Sequence, residues 1–164
     1  MKKIAFAAFA ALLLSSTAQA ADLSFPSDNP VATITIPDDW GPKETDTGID
    51  ATSPDNAVYL SIDVAEAKDT AAVVQDAVKY LKDQGVTVDE KSAKQTEGKL
   101  NDLPMFAIDW TGTDKDGPAS IGLAAITVNE NTNLVATYWG TKGDEDKDQV
   151  AITQILQSLK PAAK

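Results

Sequence analysis

Between Ala57 and Ala65 the chain alternates without a break. Val58, Leu60, Ile62 and Val64 fall on one side of an extended strand, and Tyr59, Ser61 and Asp63 on the other. The period then changes. From Asp69 to Gly85, Val74, Ala77, Val78 and Leu81 recur at three- and four-residue steps, and Val73 and Tyr80 widen the stripe, which predicts an amphipathic helix. Gln75, Asp76, Lys79, Lys82 and Asp83 occupy its polar side, with Lys79 and Asp83 spaced as an i,i+4 ion pair. Asp69 or Thr70 is expected to cap its first turn, and Gly85 to close its last in the left-handed conformation.

The other elements follow from the same two periods. Leu23 to Pro30 holds two prolines and reads as an irregular lead-in, Ala32 to Ile36 as a first strand ended by Pro37, and Asp38 to Pro42 as a turn carrying Trp40. Ile49 to Thr52 is a weak strand, and Ser53-Pro54-Asp55-Asn56 suits a type I turn. After Gly85, Val86 to Val88 is a short extension and Ser92 to Leu100 a polar strand near an edge. Asn101-Asp102 is a two-residue hairpin turn. In Leu103 to Trp110, Phe106, Ile108 and Trp110 alternate with Met105, Ala107 and Asp109. After a turn at Thr113 to Gly117, Ser120 to Val128 is apolar on both faces, as a central strand covered on two sides must be. Asn129 to Asn133 turns the chain into a last strand, Leu134 to Gly140. Asp144 to Lys160 is a closing helix with Ile152, Ile155, Leu156 and Leu159 on its buried stripe and Val150 a turn earlier. No internal repeat is present. The pattern predicts an α+β protein, a three-layer α/β/α sandwich with a central, mostly antiparallel sheet and two main helices.

Composition narrows the function. Met1-Lys2-Lys3, an apolar run from Ile4 to Leu14 and Ala18-Gln19-Ala20 read as a secretory leader, residues 1–20, cleaved near Ala20–Ala21. The run is too short to span a membrane, which takes about 20 apolar residues. This leaves residues 21–164, 144 in all, as a single periplasmic or secreted domain large enough for its own core. With no cysteine there is no lipid-anchoring site, disulfide or thiol chemistry. All 14 basic residues are lysine, and there is no histidine. The usual general base near neutral pH and the bidentate anion fork are therefore both missing. Loss of Lys2 and Lys3 with the leader leaves 12 lysines against 25 acids, a net charge of −13. Such a surface repels nucleic acid and anionic lipid.

Three further patterns carry a resemblance: I-x-I-P-x-x-W (Ile34, Ile36, Pro37, Trp40), L-P-x-F (Leu103, Pro104, Phe106) and I-x-x-S-L-K (Ile155, Ser158, Leu159, Lys160). With the strand-then-helix unit between them, they resemble the PsbP-like superfamily. That group includes extrinsic photosystem II proteins, Ran-binding Mog-type proteins and bacterial envelope proteins of the DcrB type. The resemblance spans nearly all of residues 21–164. It implies an α/β/α sandwich and a non-catalytic role in binding or stabilising a partner. DcrB-type proteins are commonly lipid-anchored through a cysteine that this chain lacks.

Candidate chemistry is sparse. Trp40, Trp110, Tyr138 and Trp139 are the aromatics most able to line a ligand pocket or partner surface, although core packing accounts for them as well. In Tyr138-Trp139 the two side chains must face opposite ways. The acidic run Asp144, Glu145, Asp146 and Asp148 offers oxygens to a hard cation, and equally complements a helix N-terminus. Asp114-Lys115-Asp116-Gly117 fails as a calcium loop, because Gly112 and Leu123 stand where acids are required. Asp63 and Asp109, on two strands, form a hydrolase-type carboxylate pair if the fold brings them together. No G-x-S-x-G, S-x-x-K or phosphate loop occurs. The reading is a soluble exported protein, not an enzyme and without a cofactor. It acts on an unidentified envelope protein or small ligand, with cation binding and carboxylate hydrolysis as alternatives.

Overall fold

The computed structural model describes residues 20–143 and 145–163, and the side chains of all of these except 21 and 145–149. Strand β5 (Val58–Glu66) and helix α1 (Thr70–Asp83) form as their periods require. Lys79 Nζ lies 3.6 Å from Asp83 Oδ2. Gly85, at φ +83°, ends α1. The Val86 amide donates to the Leu81 carbonyl and the Gly85 amide to that of Lys82, the paired bonds of a Schellman cap. At the other end the cap differs from expectation: the Asp69 side chain makes no capping bond, and the Thr70 hydroxyl donates back to the Ala67 carbonyl.

The large sheet is antiparallel throughout and runs β3 (Lys43–Glu44), β4 (Gly48–Thr52), β5, β10 (Thr132–Thr141), β9 (Gly117–Asn129), β8 (Leu103–Asp114), β6 (Thr87–Val88). Strand β7 (Lys94–Leu100) pairs β8 along the same edge and is polar and exposed, as an edge strand should be. Asn101 and Asp102, at φ 49° and 68°, make the tight β7–β8 turn that their sequence predicts. The strand with two apolar faces, β9, is interior. The middle of the sheet, however, is β10, where Leu134, Val135, Ala136 and Thr137 are all buried.

The lead-in is not irregular. Strand β1 (Ala20–Phe25) pairs β2 (Ala32–Pro37), which also pairs β11 (Lys160–Pro161) to make a second, three-stranded sheet. Helix α2 (Glu145–Ser158) packs on β2. There the Ser158 hydroxyl accepts the Thr35 amide at 2.8 Å. Small sheet and α2 together bury Ile34, Ile36, Ile152, Ile155 and Leu159 against Leu60, Ile62, Ile126 and Leu134 of the large sheet. Helix α1 covers the opposite face, over Val135, Leu123 and Ile121. The result is an α+β, α/β/α sandwich around a central antiparallel sheet, one outer layer being part helix and part sheet.

Three expected stripe residues are exposed. Val78 is 43% exposed, Tyr80 39% and Val150 67%. At about 100° per residue, Val78 sits some 80° from the axis through Ala77 and Leu81. Val150 lies on the far side of α2 from Ile152, about 200° around.

Candidate functional site

Two concave sites flank the sheet. The first lies between the sheet and α2, and strand register builds it. Ala107, Ala124 and Ala136 are direct cross-strand neighbours on β8, β9 and β10, so three adjacent positions on one face carry only methyl groups. Under Leu100 and Leu156 this leaves a cavity of about 270 Å3, bounded by Met105 and Ile126 on one side. The next row is Asp109–Gly122–Tyr138. There the Tyr138 hydroxyl donates to Asp109 Oδ1 at 2.9 Å. The ring passes over Gly122, where a Cβ would stand 1.9 Å from Tyr138 Cε1. An apolar chamber with one carboxylate–phenol pair in its wall has the lining of a small-molecule site, at a size just under the usual range of about 300–1,000 Å3. The roof is fastened from outside. The Asn101 side-chain amide donates to the carbonyls of Leu156, Gln157 and Leu159 at 3.2, 3.0 and 2.9 Å, closing the C-terminus of α2.

The second site lies between α1 and the β4–β5–β10 surface, with a volume of about 290 Å3. Register again assembles it, because Asp50, Ser61 and Thr137 form one cross-strand row. Asp63 lies nearby and accepts the Thr47 hydroxyl at 2.6 Å; Asp76 faces it from α1. Burial pushes the Asp50 carboxyl above its ordinary range; Lys43 opposes this and the charge of Asp63 adds to it. Tyr59 and Tyr80 form an aromatic wall with ring centroids 5.7 Å apart, and Trp139 stacks on Tyr59 at 4.3 Å. Burial also holds the Tyr59 phenol well above its usual value, with Tyr80 the next cause.

The four aromatics do not converge. Trp40 is only 3% exposed, an anchor of the core beneath the small sheet. Trp110 and Trp139 pack on the α1 side and Tyr138 on the α2 side, so the adjacent pair does face opposite ways. Asp63 and Asp109 also lie on opposite faces, in the second and first sites respectively, which removes them as a joint catalytic pair. Asp144 lies outside the described residues, as do the side chains of Glu145, Asp146 and Asp148. Among the described residues no group of three or more acids is placed to hold a metal ion. In the Asp114–Gly117 turn, Asp114 Oδ1 accepts the amides of Asp116 and Gly117, a hairpin turn and not a cation loop. Nothing in the sequence marks the alanine row, Gly122, Asp50 or Thr137 as site residues. Their signal, small or polar residues at alternate positions of three apolar strands, acquires meaning only with the register.

No protein family model matches this sequence, and no characterised protein matches it by sequence. The fold is another matter. It is similar to the solution structure of cyanobacterial PsbP (CyanoP) from Synechocystis sp. PCC 6803, at 10% identity over 90% of this chain and 95% of that one, with TM-score 0.61. It is similar to LpqN, involved in cell envelope biogenesis of Mycobacterium tuberculosis, at 13% identity over 88% and 91%, with TM-score 0.54. The Saccharomyces cerevisiae Ran-binding protein Mog1p aligns at 12% identity over 88% and 96%, with TM-score 0.51. The chain therefore has a PsbP/Mog-like fold, as its motifs imply. Among the described residues no helix is long and apolar enough to cross a membrane.

Proposed function

We propose that this chain is an exported, non-catalytic binding protein that carries a small apolar molecule bearing one hydrogen-bond donor. The leader is residues 1–20, and the single domain at 21–164 holds the ligand and presents it to an envelope partner. The observation that carries this reading is the cavity over Ala107, Ala124 and Ala136, with Asp109 as its polar contact. Tyr138 occupies Asp109 Oδ1, which leaves Oδ2 to accept a donor from the ligand. Strand β1 begins at Ala20, so cleavage at Ala20–Ala21 keeps its pairing from Ala21–Ile36 onward. Of two proteins of similar fold, the Ran-binding one supports a binding role and the one involved in cell envelope biogenesis supports a place in the envelope.

N-phenyl-1-naphthylamine, an apolar fluorophore with a single N–H, tests the reading. Its emission is expected to rise saturably at micromolar concentration. Ala124→Leu, which fills the floor of the cavity, should abolish the rise while the protein stays folded by circular dichroism. Emission that survives Ala124→Leu, or never rises, sinks the proposal.

A further inference from the structure

We propose that the cleft between α1 and the β4–β5–β10 surface is a second binding site, for a short-chain alkylammonium ion, independent of the apolar cavity on the other face. Asp50, Asp63 and Asp76 bring three carboxylates to one concavity, and no lysine is among its lining residues. Acidic residues alone would be ordinary surface. Thr137 is what makes the cleft more than that. It is 1% exposed, lines the cleft, and its Oγ1 has no hydrogen-bond partner among the described residues. A buried hydroxyl left unsatisfied destabilises the protein that contains it, so its presence calls for a partner. An ammonium group supplies one, since it only donates and the hydroxyl oxygen can accept.

The chemistry of the walls narrows the ligand. Tyr59 and Tyr80 present aromatic surface, whose negative π faces attract cations. A bare metal ion would need several oxygens converging within bonding distance, and the described carboxylates do not form such a group. A larger, multi-atom cation can reach Asp50, Asp63 and Asp76 separately with different hydrogens. At about 290 Å3 the volume is small for a drug-sized ligand and suits a short amine. Burial is the main reason Asp50 holds its proton more tightly, Lys43 opposes it, and the smaller repulsion from Asp63 is the part an arriving cation relieves.

Putrescine, titrated calorimetrically into the purified protein at low ionic strength, is the test, with 1,4-butanediol as the uncharged isostere. Putrescine is expected to bind saturably and the diol not at all. Asp50→Asn should weaken binding about tenfold, as expected for a lost charged contact, and Thr137→Val roughly fivefold. Thr137→Val should also raise the thermal midpoint of the ligand-free protein, because it removes the unsatisfied hydroxyl. Asp116→Asn, in the exposed β8–β9 turn, should leave affinity unchanged. If Asp50→Asn misfolds, Asp76→Asn on exposed helix surface replaces it with the same expected direction. The proposal is overturned by absence of saturation at millimolar putrescine, by equal binding of the diol, or by an Asp116→Asn effect matching that of Asp50→Asn.

Discussion

The Tyr138 hydroxyl reaches Asp109 Oδ1 by lying across Gly122, whose missing side chain is the condition for the bond. Strands β8, β9 and β10 place the three residues in one cross-strand row, so the middle one must be bare. Gly122→Ala would put a methyl group 1.9 Å from Tyr138 Cε1. Overpacking of this kind costs about 1–3 kcal/mol. Urea unfolding of the single variant should show that loss. In a Tyr138→Ala background most of it should disappear, because the clashing ring is gone.

Tyr138→Phe separates the ring from the bond. The ring still walls the cavity, while Asp109 loses a donor. Stability should fall by about 1 kcal/mol, the usual net worth of such a hydrogen bond. Affinity for N-phenyl-1-naphthylamine should hold or improve, since both carboxylate oxygens then face its N–H. A marked fall in affinity would show that the hydroxyl itself contacts the ligand.

Asn101 performs two tasks, a left-handed turn residue at φ 49° and a cap on the last carbonyls of α2. Asn101→Gly keeps the first and removes the second, so it should destabilise by about 1 kcal/mol. Asn101→Asp should be worse, because a carboxylate beside a helix C-terminus opposes the dipole. Amide exchange at Leu156 to Leu159 should quicken in both variants before the rest of the protein is affected.

Asp50 gives a pH dependence whose sign is fixed. Burial raises its folded-state pKa above the ordinary 3.8. The folded protein therefore holds its proton more tightly than the unfolded chain, and stability is lost as pH rises through the raised value. Asp50→Asn should accordingly raise the thermal midpoint at pH 7. That gain should shrink as pH falls through the raised value and vanish below 3.8, where both states of the wild-type residue are protonated.

The elements that sequence made legible are those whose stabilisation is local. Helix α1, strand β5 and the Asn101-Asp102 turn each carry a complete signal in consecutive residues. Strand β1 does not. Leu23 and Phe25 are its only large inward residues, two prolines follow, and it is a strand because β2 offers an edge. Lys160-Pro161 is too short to show any period, yet it pairs β2 from the other side. The sites were the least legible part. Trp40, Trp110, Tyr138 and Trp139 were visible as large residues, but a pocket is made where residues are small. Ala107, Ala124 and Ala136 become a floor only when three strands are in register.

Strand β10 lies at the middle of the sheet but close to the end of the chain. Residues 58–66 must wait for residues 132–140, and β2 for 160–161, before either sheet is complete. Closing such distant pairings is slow, because chain entropy is lost before contacts repay it. On the export reading this order has a use. Until residues 132–140 and 160–161 have been made neither sheet can be complete, which favours a chain that is still open when it meets a translocation channel.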